Sequence, residues 1–326
     1  MQRIFHTPEG VRDIYSEECS RERGLQEKLR PDFTPSVSRA CATYFNPEKE
    51  VVSLCYTGNT FINNSSFRGR LKETTQMGVE RMGDDSPEAD AEILAMTVEC
   101  LLTAGLTEFQ VSVGQVDYYK AIFAQTGMSQ EEEEELRELI SQKNYFGVEE
   151  LVKSKKMDKS LAKVLSQLPQ MFGSAEVLEK AKALTDNPQA LKAVARLEEI
   201  YELLKVYGYE KYITFDFAML SKYHYYTGVI FKAFSYGVGD AIVKGGRYDK
   251  LLGCFGKSAP AIGFAVVIDD LLLSLERQNG TYQEKPVVQK ITYTESNYTE
   301  KLKTAQALRN EGRRVALIPE SERTEV

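Results

Sequence analysis

The residues best suited to chemistry lie between Tyr225 and Leu252. There Tyr-Tyr-Thr-Gly-Val-Ile-Phe-Lys-Ala-Phe is followed by a turn from Ser235 to Asp240 and by Ala-Ile-Val-Lys-Gly-Gly-Arg-Tyr-Asp-Lys-Leu-Leu. The run reads as a hairpin built around a pocket. Alternation puts Tyr226, Gly228, Ile230, Lys232 and Phe234 on one face and Tyr225, Thr227, Val229, Phe231 and Ala233 on the other. Neither face is clearly wet, so the strand is central or covered by helices. The glycines at 237, 239, 245 and 246 supply turns or let another group approach the backbone. An ordinary buried hairpin fits the same alternation; the Gly-Gly-Arg-Tyr-Asp run favours the pocket. Upstream, Gln76 and Glu80 fall on one face of a second strand. A buried Glu needs a cation or hydrogen bonds, which makes Glu80 a ligand contact or a salt-bridge partner, and spacing alone favours the salt bridge.

Other chemistries are excluded by counting. The two histidines, His6 and His224, cannot build a multi-histidine metal centre, and a Ser-His-Asp or Cys-His hydrolase would depend on one of them. His224, beside two tyrosines, reads as packed or hydrogen-bonded, not catalytic. The five cysteines, Cys19, Cys41, Cys55, Cys100 and Cys254, are scattered and lack any Cys-x-x-Cys spacing, so neither a disulfide framework nor a zinc site is expected. No cofactor is implied, and a reducing cytoplasm fits. The net charge of -7 gives no support for nucleic-acid binding. No apolar run approaches a membrane span, and the N-terminal residues lack the apolar core of a signal peptide.

The elements that must position these residues follow from periodicity. Thr-Pro-Glu-Gly-Val-Arg-Asp-Ile-Tyr-Ser reads as a turn and a helix start, with Ser16 as N-cap and Glu17 and Glu18 at the positive end of the dipole. Pro35 opens a helix with Thr34 as cap. Residues 51–62 read as a strand and a turn at Thr57-Gly58-Asn59, 67–83 as a loop and a strand, 87–103 as a helix and 109–113 as a further strand. From about Lys120 to Val206 no convincing strand occurs and apolar residues recur at helical spacing. Ser129 and Glu132 form a capping box, so the glutamates at 131–135 are a solvated helix start. Strands return at 212–217 and in the hairpin. Ser258 to Glu276 is a strand leading to a helix, and a short α/β piece follows, with a helix over 298–310 and a strand over 314–318. The expected class is α+β, a mostly antiparallel sheet flanked by helices. Its expected divisions are a core of residues 1–119 and 207–280, a helical insertion over 120–206 and a small C-terminal α/β segment over 281–326, close to the two domains that 326 residues favour.

Four motifs in register, Arg30-Pro-Asp-Phe-Thr34, Gln76-Met-Gly-Val-Glu80, Tyr225-Tyr-Thr-Gly-Val-Ile-Phe231 and Gly245-Gly-Arg-Tyr-Asp249, resemble the catalytic core of histidyl-tRNA synthetase, a class II aminoacyl-tRNA synthetase. Pro8-Glu-Gly-Val-Arg-Asp-Ile14 and the segment from Pro260 to Leu271 resemble the same family. The resemblance implies a histidine pocket. Asp32, Thr34, Gln76 and Glu80 suit an α-ammonium group, and Tyr225, Tyr226 and Tyr248 suit a planar imidazole.

The departures carry the functional expectation. Aminoacyl adenylation stabilises charge on phosphate with arginines that offer bidentate donors. The aligned positions hold Ile62, Ser221 and Asp270. A carboxylate in place of such a cation turns attraction into repulsion, about 4 kcal/mol per term at ~4 Å and an effective dielectric of ~20. A core that keeps amino-acid contacts and loses phosphate contacts is similar to the regulatory subunits of ATP phosphoribosyltransferase. That resemblance implies no catalytic residues in this chain. It implies assembly with the short-form catalytic subunit, with self-association as a dimer within a hetero-octamer, and a part in feedback inhibition by L-histidine. Alternatives are a divergent histidyl-tRNA synthetase and an amino-acid-binding paralogue with another partner. Between Arg21 and Leu29 the chain is far shorter than both families, which carry the first class motif there. Either that loop and strand are deleted or residues are missing at that point; missing residues are favoured, since losing a sheet strand would expose core, and the end at Val326, just after a strand, is read as incomplete too.

Overall fold

The structure is a computed structural model that describes residues 29–62, 71–155, 157–220, 225–279, 289–294 and 296–320. The helix start expected near Ser16 and the positions of Ser221 and His224 lie outside these residues. The chain divides into two compact units, Met1–Gln278 and Asn279–Val326.

The first unit is organised by one sheet. Its strands in chain order are β1 (Val52–Phe61), β2 (Glu73–Met82), β3 (Phe109–Gln115), β4 (Phe172–Gly173), β5 (Ile213–Asp216), β6 (Val229–Ser235), β7 (Val243–Arg247) and β8 (Ala261–Val267). They lie in the order β1-β2-β8-β7-β6-β3-β5-β4. Only the β3 and β5 pair is parallel. The hairpin of β6 and β7 is therefore central, which explains why neither of its faces reads as wet.

The two faces differ. Val79, Phe264, Val243, Phe231 and Val111 turn to one side and join the main core with helices α2 (Pro87–Thr103) and α8 (Pro188–Tyr207). The other side presents Tyr56, Gln76, Gly78, Glu80, Gly263, Lys244 and Gly246, as register requires. One end of that face is covered by helix α1 (Thr34–Tyr44). Cys41 of α1 shares a smaller apolar cluster with Met82, Tyr225, Tyr248 and Leu251.

Helix ends follow their sequence signals. The Ser86 hydroxyl accepts from Ala89 N–H at 3.1 Å, Pro87 opens the first turn of α2, and Gly208 closes α8 in the left-handed conformation. Between β3 and α8 run α3 (Val116–Phe123), α4 (Gln130–Ser141), α5 (Tyr145–Ser154), α6 (Lys159–Gln167) and α7 (Glu176–Ala183). Ser129 and Glu132 form the expected capping box at α4. The structure corrects two details: two residues of this helical stretch, Phe172 and Gly173, form β4 against β5, and Thr57-Gly58-Asn59, expected as a turn, lies inside β1, one continuous strand over Val52–Phe61. The boundary expected at residue 120 also falls inside α3, whose buried Tyr118, Ala121 and Ile122 belong to the main core. After α9 (Ile268–Asn279), the second unit pairs β9 (Gln289–Tyr293) with β10 (Val315–Pro319) in parallel through α10 (Tyr298–Asn310).

Candidate functional site

The site is built where α1 meets β2. Thr34, expected to cap α1, instead lies in its first turn, and Phe33 occupies the cap position. The reason is chemical: the Thr34 hydroxyl donates to Glu80 Oε1 at 2.8 Å, while Asp32 Oδ1 accepts from Thr34 N–H at 3.1 Å. Asp32 thus takes over one of the unsatisfied donors of the helix start, where a carboxylate is favoured by the dipole.

Glu80 stands at the centre. It is 1% exposed, and its second oxygen accepts from the Tyr248 hydroxyl at 2.6 Å. The structure settles the ion-pair expectation against a salt bridge, because among the described residues its partners are hydroxyls and none is a Lys or Arg. Burial pushes its carboxyl up to about 8. The bonds from Tyr248 and Thr34 pull the other way, and the neighbouring Asp32 adds to the rise. Asp32 is raised as well, mainly by burial, against bonds from Thr34 and from the Tyr225 hydroxyl at 3.0 Å. Room for Glu80 comes from Gly263 on β8, where a Cβ would overlap Oε2.

The tyrosines converge differently from the alternation expected of a strand. β6 begins only at Val229, because Thr227 bonds to Asp249 (Oγ1 to Oδ2, 2.9 Å), so Tyr225 and Tyr226 precede the strand. Their rings lie 4.8 Å apart instead of on opposite faces, and Tyr225 meets Tyr248 edge-on at 6.2 Å. The structure thus brings together Asp32, Thr34, Glu80, Tyr225, Tyr226 and Tyr248. Gln76 lies four residues before Glu80 on the same face of β2, outside this hydrogen-bonded cluster. Tyr226 also lines a cavity of about 280 Å³ with Tyr119, Lys120, Arg137 and Glu133. The Lys120 ammonium there donates to the Tyr226 carbonyl at 3.3 Å. Of the residues that line this cavity, Tyr226 is the one it shares with the carboxyl cluster.

Two features escaped the sequence. Arg247 of the Gly-Gly-Arg-Tyr-Asp run is 2% exposed and points to the core face, where it binds Asp90 at 2.5 Å and Asp249 at 3.1 Å. Asp90, fully buried on α2, is also held by Arg196 at 2.7 Å. This is a structural network. The second is Tyr56 of β1, stacked on Phe33 with ring centroids 4.5 Å apart, whose hydroxyl enters the same cluster of carboxyls. Its signal was available only through pairing, since Tyr56 stands opposite Gly78, two residues from Glu80. Among the described residues no group of His, Cys, Asp and Glu is arranged to hold a metal ion, and no helix is long and apolar enough to cross a membrane.

The overall fold matches known proteins. A sequence profile of the histidyl-tRNA synthetase family covers residues 26–271. A crystal structure of an ATP phosphoribosyltransferase regulatory subunit/histidyl-tRNA synthetase from Bacillus halodurans C aligns with a TM-score of 0.72 and 30% identity over 91% of this chain and 76% of that one. A histidine–tRNA ligase subunit from Alicyclobacillus acidocaldarius aligns with a TM-score of 0.68 and 25% identity over 86% and 87%. The fold is that of a class II aminoacyl-tRNA synthetase core.

Relatives narrow it further. Proteins named ATP phosphoribosyltransferase regulatory subunit from Thermoanaerobacter pseudethanolicus and Acetivibrio thermocellus are 39% and 32% identical, over 89% and 94% of this chain and 76% and 85% of theirs. The chain belongs to the family of ATP phosphoribosyltransferase regulatory subunits. The alignment with the Acetivibrio protein extends over 356 residues, more than the 326 present here, so that relative carries residues without a counterpart in this chain.

Proposed function

We propose that this chain acts as the non-catalytic regulatory subunit of ATP phosphoribosyltransferase, the first step of histidine biosynthesis, and binds L-histidine in the Asp32, Glu80 and Tyr248 pocket. It assembles with a short-form catalytic subunit in the cytoplasm, as a dimer within a hetero-octamer, and supports the condensation of ATP with phosphoribosyl pyrophosphate. Histidine bound here would inhibit only by preferring one state of that complex.

The observation that carries the ligand reading is a pair of buried carboxyls with no cation beside them among the described residues, both held toward the protonated form. Two carboxyls share one cluster, and among the described residues their partners are hydroxyls and a backbone amide. An entering ammonium group supplies that cation and lets Glu80 ionise. Loss of adenylation chemistry fits the two aligned positions that the structure describes: Ile62 is 38% exposed at the end of β1, and Asp270 lies in the first turn of α9. Neither offers a bidentate cation to phosphate.

Copurification tests the assembly. The chain, mixed with a short-form catalytic subunit, forms a stable complex and raises its turnover; no complex and unchanged turnover would sink the proposal. Histidine-dependent ATP–pyrophosphate exchange by the chain alone would instead establish a synthetase.

A further inference from the structure

The cavity of about 280 Å³ lies where α3 and α4 meet Tyr226, away from the face that holds the two carboxyls. Helix periodicity builds it. On α3, Tyr119 and Phe123 stand four residues apart and are buried, while Lys120 and Ala124, again four apart, line the solvent side. On α4, Glu133 and Arg137 repeat that spacing and line the same space. Ala124 is small, so the room between the larger side chains stays open.

The charges around the cavity are unevenly matched. Lys120 donates to the Tyr226 carbonyl at 3.3 Å and forms no ion pair among the described residues, although an ammonium carries three donors. Arg137 lies over the Tyr119 ring, its guanidinium carbon 5.6 Å from the centroid, and pairs at 3.4 Å with Glu134, an exposed carboxylate that solvent screens. Lost hydration lowers the Lys120 pKa; Asp117 opposes the fall, and Lys250 and Arg137 deepen it. An anion beside Lys120 and Arg137 relieves that repulsion. The lining sets these two cations against one carboxylate, Glu133, which matches a ligand of single negative charge, and its three aromatic rings suit a planar apolar body.

We propose that this cavity is a ligand site separate from the carboxyl cluster and takes a small aromatic carboxylate, its anion held by Lys120 and Arg137 and its ring set against Tyr119, Phe123 and Tyr226. It borders the carboxyl cluster at Tyr226 but prefers the opposite charge, and it stands whether or not that cluster binds histidine.

The test is titration of the full chain, followed by ligand-detected NMR, with three probes: benzoate, which carries both ring and charge, and acetate and benzyl alcohol, which carry one each. Benzoate binds at least ~10-fold more tightly than either fragment. Lys120→Met keeps most of the stem and removes the charge, and weakens benzoate by about 10-fold or more. Ala124→Leu fills the cavity without altering any charge and abolishes benzoate binding. Both positions face solvent, so thermal unfolding shows both variants folded. Acetate binding as tightly as benzoate would mark a general attraction of anions to the surface and overturn the proposal. Benzoate affinity within about twofold of wild type in either variant would also overturn it, as would absence of benzoate binding to the wild-type chain.

Discussion

Glu80→Gln isolates the central carboxyl. In the wild-type chain the Glu80 proton is held up to about pH 8, against an ordinary value of 4.5. Between these limits the folded state binds a proton that the unfolded chain has released, so stability falls as pH rises. The contribution is fully present below pH ~4.5 and is lost progressively up to pH ~8, at ~1.4 kcal/mol per unit. From pH 5 to pH 8 this amounts to about 3 to 4 kcal/mol. Glutamine cannot ionise, and its amide keeps an acceptor for either Thr34 or Tyr248 while turning an NH2 group toward the other. It is therefore less stable than wild type at pH 5, by about 1 to 2 kcal/mol for the mismatched bond. Toward pH 8 that deficit shrinks and reverses. Urea unfolding of both proteins at pH 5, 6, 7 and 8 measures the difference directly, because Asp32 and the surface groups are common to both. Two stability curves that stay parallel within ~0.5 kcal/mol across this range, well under the shift just worked out, would show that Glu80 titrates normally and would refute the burial argument.

Further outcomes follow from the same geometry. Histidine binding at pH 7 releases protons, because Glu80, held protonated up to about pH 8 when empty, becomes a carboxylate beside an ammonium group. Calorimetry in phosphate and in Tris buffers reads this as different apparent enthalpies, and identical enthalpies would exclude it. Arg247→Met leaves the buried Asp90 with Arg196 as its remaining cation and costs about 3 kcal/mol in urea unfolding, where a loss under ~0.5 kcal/mol would show the network to be dispensable. Gly263→Ala drives a methyl group into Glu80 Oε2 and the Val79 carbonyl, a backbone group that cannot swing away. It costs about 1 to 3 kcal/mol and abolishes histidine binding, and normal binding would show that Glu80 tolerates displacement.

The strands and helices were legible because their periods are local. The helix over 87–103 and the capping box at Ser129 stand where the sequence placed them, and α10 spans the expected 298–310. What failed was local logic overruled by a distant partner. Thr34 has the look of a helix cap, but its hydroxyl is drawn to a carboxyl 46 residues away. Tyr225 and Tyr226 look like alternating strand residues, but Thr227 is tied to Asp249 and the ladder starts after them. Glu80 reads as an ion-pair partner from burial alone; only the pairing of β2 with β8 shows that a glycine leaves space for an uncharged carboxyl. Tyr56 was invisible for the same reason, since its importance depends on which residue faces it across the strand.

Arg247 and Tyr248 show how the fold and the site are coupled. Arg247 ends β7 and Tyr248 is the first residue beyond it, and their side chains take different surroundings. Arg247 is locked on the core side by Asp90, Asp249 and the Asp84 carbonyl at 3.1 Å. Tyr248 is thereby placed where its hydroxyl reaches Glu80. The amide of Tyr248 donates to the Ala261 carbonyl at 2.7 Å, and Asp249 Oδ1 accepts from the Ala261 amide at 3.1 Å, so β8 is fixed by the same few residues. The Gly-Gly-Arg-Tyr-Asp run is therefore a joint, not a set of ligand contacts: one of its side chains meets the pocket, and its ion pairs hold that side chain in place. A chain that lost adenylation chemistry would still need every part of this joint to keep an amino-acid pocket, because removing Arg247 releases the strand end on which Tyr248 sits.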